Sequence, residues 1–243
     1  VSEHRAAGHE SARSRFVQLV GAADLVIFDF DGVISDSEVI SLTTLRETLN
    51  AFGLDLSAED TREMFLGTSL KTIAAHVAEH GTGDTDAFAV QWESVLFDRF
   101  RAELRPVPHV LDLVDRLQQS GTAFCIASSS TFNRIDIALD AMGVTDRFAH
   151  IFSAQQVARG KPAPDLFEYA ACKMGVTPAA CLVVEDSPHG VRAAGAAGMS
   201  AVGFSGGQHL IDSQAEHGAA LLAAGAEFVL PSFEGFARMD IIS

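Results

Sequence analysis

Residues 25–38 read LVIFDFDGVISDSE. Four consecutive apolar residues, Leu25, Val26, Ile27 and Phe28, lead into Asp29, Phe30, Asp31 and Gly32. An unbroken apolar run of this length, closed by a turn signal, describes a strand buried on both faces. In an extended chain residues i and i+2 point the same way, so Asp29 and Asp31 share one side. Like charges that close repel, and a divalent cation relieves the repulsion. Gly32 lets the chain turn with no side chain in the path.

The same kind of run recurs downstream. TAFCIAS (122–128), HIFSA (150–154), CLVVED (181–186), SAVGF (200–204) and EFVL (227–230) complete a set of strands. Helical patterns lie between most of them. In residues 107–121 Val110, Leu111, Val114 and Leu117 share a face, Pro108 stands near the start and Gly121 at the end. The patterns over 131–143 and 163–175 also close on glycines, Gly143 and Gly175. Strand and helix in alternation predict an α/β fold, a Rossmann-like parallel sheet covered by helices. Residues 37–104 break the rhythm, with helical patterns and no convincing strand. They predict an all-helical insertion, hinged near 35–37 and 105–108, into a core of residues 21–36 and 105–243. Within it SAED (57–60) reads as a helix-start box with Asp60 in the usual glutamate's place. Residues 1–20 read as a frayed or variable leader.

In open parallel sheets, ligands bind beyond the C-terminal ends of the strands. The first strand ends at Asp29 and Asp31. The second ends at Ser128, Ser129 and Ser130, a hydroxyl-bearing turn into a helix and a natural phosphate cradle. Lys161 lies just past the third, beside Pro162 and Pro164, and the fourth ends at Glu185 and Asp186. Oxygen ligands of this kind suit magnesium, which prefers few protein ligands and several waters.

Four stretches, DFDGVISDSE, CIASSS, RGKPAPDLF and VVEDSPHG, resemble in order and spacing the four motifs of the haloacid dehalogenase-like hydrolase superfamily. The spacings are 99 residues from Asp29 to Ser128, 33 to Lys161 and 25 to Asp186. The likeness covers roughly 25–210 and is nearest the beta-phosphoglucomutase-like branch, with a helical cap after the first motif. The resemblance implies Asp29 as the nucleophile that accepts a phosphoryl group. Asp31 would be the general acid and then the base for water. Ser128 and Lys161 would hold the transferring group. Mg2+ would be held by Asp29 and Asp186 and the main-chain carbonyl of Asp31, with Glu185 bound to it either directly or through another ligand. Gly32, Ser129, Lys161 and Asn133 are the substrate-binding candidates in the core, with Arg134 beside them. Thr68 and Lys71 are those of the cap, where Glu38, Ser69 and Trp92 also bear on the pocket.

A magnesium-dependent phosphatase of a small phosphorylated sugar, polyol or sugar acid, or of phosphoglycolate, follows as the expectation. The alternatives are a phosphohexomutase and a non-catalytic sugar-phosphate sensor. The mutase has a histidine where Ser41 stands and an arginine where Thr68 stands, so both residues weigh against isomerisation. Asp29 and Lys161, which a sensor would lose, are present.

Seventeen basic residues against thirty-two acidic ones give a net charge of −15. Nucleic acid and an anionic membrane surface are thereby disfavoured as partners. A small phosphorylated ligand needs only local cations. Cys125, Cys172 and Cys181 are odd in number and fit no metal spacing, which suits free thiols in a reducing compartment. No apolar run reaches the ~18 residues of a membrane span. A cytoplasmic monomer or weak homodimer is the expectation. His209 and His217 look isolated, and the glycines of GFSGGQH (203–209) read as a turn beside the rim of the site.

Overall fold

A computed structural model describes residues 2–65, 70–82 and 84–238. The chain runs α1 (Ser2–Ala22), β1 (Leu25–Phe28), α2 (Glu38–Ala51), α3 (Ala58–Phe65), α4 (Leu70–His80), α5 (Thr85–Glu103) and α6 (Val110–Ser120). It continues β2 (Ala123–Ser128), α7 (Phe132–Met142), β3 (Ile151–Ser153), α8 (Asp165–Met174) and β4 (Cys181–Glu185). It closes with α9 (Pro188–Ala196), β5 (Ser200–Phe204), α10 (Gln214–Ala223) and β6 (Val229–Leu230). The strands form one parallel sheet in the order β3-β2-β1-β4-β5-β6, as the alternating pattern predicts.

All four residues of β1 are fully buried because the sheet is covered on both faces. Val26 and Phe28 face one core with Ile126, Leu182, Val184 and Phe204. Leu25 and Ile27 face the other with Cys125, Ala127, Val183 and Phe167. The period of two along each strand therefore sorts alternate residues into two separate cores.

Residues 2–22 depart from the expected frayed leader. They form a helix, and Phe16 and Val20 are buried on the first of these cores. Phe16 meets the edge of Phe236 at 5.3 Å between ring centroids, and Phe233 stacks on Phe204 at 4.1 Å. Phe16, Leu19 and Val20 recur at helical spacing, but the ring that Phe16 meets, Phe236, comes from the far end of the described chain. Local sequence gives no sign of it.

Helices α2 to α5 occupy the interval between β1 and β2. They bury Leu45, Leu49, Phe65, Ile73, Val77, Phe88, Trp92, Leu96 and Phe100. Ser57 caps α3: its Oγ accepts from the amide of Asp60 at 3.0 Å and donates to Asp60 Oδ2 at 2.5 Å. The two connections to the sheet run side by side. The amide of Asp36 donates to the carbonyl of Arg105 at 3.1 Å, and that of Val107 to the carbonyl of Ile34 at 2.9 Å.

Candidate active site

β1 and β4 are neighbours in the sheet, and the chain reverses its direction of strand addition between them. Both strands end at this switch point, where the ends of adjacent strands diverge and leave a crevice. The amide of Asp29 donates to the carbonyl of Val184 at 2.9 Å, so the sheet ladder itself fixes Asp29 beside the end of β4.

Three carboxylates meet there. Asp29, Glu185 and Asp186 are all buried, and one oxygen from each lies within 4.8 Å of the others. Lys161 reaches in from the segment before α8. Its Nζ donates to Asp29 Oδ1 at 2.5 Å and to Glu185 Oε2 at 2.9 Å. One ammonium faces three carboxylates, so the charges do not balance. Burial and the neighbouring Glu185 raise the pKa of Asp29 to about 8 despite Lys161. Burial, Asp29 and Glu185 likewise push Asp186 well above the ordinary carboxylate range. Burial opposes the charge of Lys161, yet Asp29 and Glu185 outweigh it and strengthen its hold on the proton.

Asp31 has a different environment. Its Oδ1 accepts from Ser37 Oγ at 2.5 Å and from Arg134 Nη2 at 2.9 Å, and its Oδ2 accepts from Ser130 Oγ at 2.6 Å. Burial alone would raise its pKa, but Arg134, Ser130 and Ser37 together hold it below the usual value. Two carboxylates two residues apart are thus pushed in opposite directions.

The motif region matches the family model of the haloacid dehalogenase-like hydrolases over residues 26–204. The chain belongs to this family. It is 34% identical to protein CbbY of Rhodobacter capsulatus over 73% of this chain and 83% of that protein. It is 33% identical to fructose-1-phosphate phosphatase YqaB of Escherichia coli over 73% of this chain and 94% of that protein. Among solved structures, a haloacid dehalogenase-like protein of unknown function from Agrobacterium tumefaciens superposes with a TM-score of 0.71. Its identity is 35%, over 87% of this chain and 95% of that one.

In this haloacid dehalogenase-like hydrolase the donor set fits a hard divalent cation. Three buried carboxylates converge, all ligand atoms are oxygen, and the local negative charge exceeds what Lys161 neutralises. The side chain of Asp31 is engaged elsewhere, which leaves only its main-chain carbonyl for the ligand role the motif implies. Glu185 is oriented by Ser187, whose Oγ donates to Glu185 Oε1 at 2.6 Å and accepts from the amide of Gly190 at 3.0 Å. Ser187 is therefore both the N-cap of α9 and a brace for the site.

The other candidates of the core lie around the rim. Ser128 is buried, and its Oγ accepts from the amide of Ser130 at 3.0 Å. Ser129 and Asn133 are exposed. Gly32 has φ +80°, and a Cβ there would stand 1.9 Å from Asp186 Oδ2. Thr68 and Ser69 lie outside the described residues, as does the side chain of Lys71. Trp92 is buried in the packing of α2 to α5, which suits a structural side chain more than a pocket wall.

Three residues escaped sequence reasoning. His217 Nε2 donates to the carbonyl of Asp186 at 2.5 Å, and His209 Nε2 lies 3.5 Å from Asp186 Oδ2. His209 is buried, and burial together with Arg62 and His217 lowers its pKa to about 4. Neither histidine is isolated, contrary to the sequence reading. Arg62, from α3, donates to the carbonyl of His209 at 2.6 Å and to Ser213 Oγ at 3.3 Å. The turn at GFSGGQH supplies the common ground: Gly207 leaves room for the ring of His209 beside Gly32. That glycine pair was the one usable signal.

Proposed function

We propose that this chain is a magnesium-dependent phosphomonoesterase acting on a small phosphorylated metabolite through a phosphorylated Asp29. The substrate class is a sugar, polyol or sugar-acid phosphate, or phosphoglycolate. The observation that supports this best is the pairing of Lys161 with Asp29 and Glu185 at the switch point, with Asp31 held apart by its own donors. The names of the relatives, a phosphatase among them, agree with it.

In this reading an oxygen of Asp29 attacks phosphorus, and the bond from phosphorus to the leaving oxygen breaks. Asp31, which must first take up a proton from solvent against the pull of Arg134, gives that proton to the leaving oxygen. Asp31 then takes a proton from water, whose oxygen attacks phosphorus and releases Asp29. Lys161 and Ser128 meet the phosphoryl oxygens as charge spreads over them. Asp29, Glu185, Asp186 and the carbonyl of Asp31 would hold Mg2+, which when bound adds positive charge against the phosphoryl group.

Helices α2 to α5 are read as a cap over a core of residues 21–36 and 105–243. The adjacent connections at Ile34–Asp36 and Arg105–Val107 suit a hinge, and Arg62 reaches the core turn beside Asp186. Closure of such a cap excludes bulk water from the acyl phosphate.

The test is release of phosphate from p-nitrophenyl phosphate and a panel of sugar and sugar-acid phosphates, with and without Mg2+. Turnover that needs Mg2+ and vanishes in Asp29→Asn is expected. Absence of turnover on every ester would overturn the reading. Conversion of glucose 1-phosphate to glucose 6-phosphate faster than phosphate release, with a bisphosphate primer, would favour the mutase instead.

A further inference from the structure

Arg134 has a side chain only 16% exposed, although it carries a full charge. It stands in the first turn of α7, placed by the Thr131 cap, whose Oγ accepts from its amide at 3.3 Å. Its guanidinium carbon lies 5.5 Å from the centre of the Phe100 ring of α5, so it bridges the core and the helical insertion. A single nitrogen, Nη2, makes both of its side-chain hydrogen bonds, to Asp31 Oδ1 at 2.9 Å and to Ser41 Oγ at 3.0 Å. Its Nε is buried with no hydrogen-bond partner among the described residues.

Asp31 accepts three hydrogen bonds, from Ser37 and Arg134 at Oδ1 and from Ser130 at Oδ2, and Arg134 is its one charged partner among the described residues. The two serines sit close along the chain or on the β2–α7 turn and donate through short hydroxyls. Arg134 is the partner with unused donors. Releasing Asp31 strands a buried guanidinium beside the Ser41 hydroxyl, and a buried charge without its partner is costly. Glu38 and Glu93 favour its charge through space without hydrogen-bonding to it. The side chain of Glu38 is itself affected by burial and by Asp31.

We propose that Arg134 binds an anionic leaving group and, in doing so, frees Asp31 for catalysis. The preferred substrates are then phosphomonoesters whose leaving group bears a carboxylate or a second phosphoryl group. A guanidinium fork matches either anion with two parallel hydrogen bonds. The exchange keeps Arg134 paired throughout: Asp31 before binding, the substrate anion after it. In a chain of net charge −15 such a local cation is also what a doubly anionic substrate needs. This proposal rests on the phosphatase reading above and names the substrate class within it.

The experiment compares kcat/KM for phosphoglycolate and 3-phosphoglycerate with that for ethyl phosphate and glycerol 2-phosphate. It uses the unchanged protein, Arg134→Gln and Arg134→Lys. The unchanged protein should favour the carboxylate-bearing esters by about tenfold or more, the worth of one charge-assisted contact. Arg134→Gln should bring the ratio near one, chiefly through KM, and Arg134→Lys should fall between. An equal ratio in the unchanged protein, or a ratio that Arg134→Gln leaves in place, would overturn the proposal. If no ester is turned over, the phosphatase reading itself fails. Calorimetric titration of phosphoglycolate into Asp29→Asn, with and without Arg134→Gln, then decides separately. A loss of affinity of about tenfold on removing the guanidinium supports the anion site, and unchanged affinity removes it.

Discussion

The ammonium of Lys161 lies 2.5 Å from Asp29 Oδ1 and 2.9 Å from Glu185 Oε2, joining residues 132 and 24 positions away. It is the one cation within hydrogen-bonding reach of the buried carboxylates, among the described residues. Lys161→Ala should therefore destabilise the metal-free protein by about 3–5 kcal/mol, the usual cost of breaking a buried pair from one side. Added Mg2+ should recover part of that loss. Thermal unfolding with EDTA and with Mg2+ measures both effects, and a variant as stable as the parent in EDTA would contradict the charge argument.

Stability should depend on pH in a direction set by the site. Asp29 at about 8 and Glu38 at about 7 bind protons more tightly when folded than when unfolded, near 4. Their protonated forms favour the fold fully below about pH 4, and that contribution is lost as pH rises toward 8. Asp31, held low, acts oppositely and loses its contribution in acid. His209, at about 4 and so neutral when folded, also disfavours acid. The melting temperature in EDTA should thus peak in the mildly acidic range and fall between pH 6 and 8.5. Mg2+ should raise it more at pH 8 than at pH 6. A flat profile in EDTA over that range would count against the convergent carboxylates.

Gly190 is needed for space. A Cβ there would lie 2.0 Å from the carboxyl carbon of Glu185. Gly190→Ala should displace Glu185 and weaken Mg2+ binding by about ten- to a hundredfold, the range seen when supporting groups are disturbed. Because Gly190 is helical, alanine itself carries no propensity cost. Magnesium titration followed by turnover or by melting temperature reads the shift, and an unchanged midpoint would show that Glu185 is not a ligand.

Arg62→Ala should leave the fold intact and alter catalysis. Its guanidinium ties α3 to the carbonyl of His209 and to Ser213. Losing this tie favours an open insertion, so KM should rise while the dependence of kcat on solvent viscosity weakens. Arg62→Lys should restore part of the effect. Parent-like KM and viscosity dependence would show that the contact is not part of closure.

Phe16→Ala tests α1. The ring is fully buried against Phe236, and truncating a buried phenylalanine costs about 3–5 kcal/mol. Denaturant unfolding should show a lower midpoint. An unchanged midpoint would return residues 1–20 to the status of a leader.

Much of the site was legible because its residues close strands. Asp29, Asp31, Ser128, Glu185 and Asp186 follow or end apolar runs, and parallel strands bring their C-terminal ends to one edge. Lys161 was legible through its prolines and its spacing. Arg134, His209, His217 and Arg62 were harder. Each sits in an ordinary helix or turn, and each acquires its role from a partner in another segment: Asp31 for Arg134, Asp186 for both histidines, the His209 carbonyl for Arg62.

By itself the sequence determined the parallel sheet, the helices between its first two strands and the strand-end carboxylates, because periodicity and strand termini are local properties of the chain. Tertiary structure alone decided that Asp29 sits with Glu185, Asp186 and Lys161 while Asp31 turns to Ser37, Ser130 and Arg134. Two like residues two positions apart received opposite electrostatic environments, since burial and charge at a side chain come from every segment folded around it and not from its neighbours in sequence.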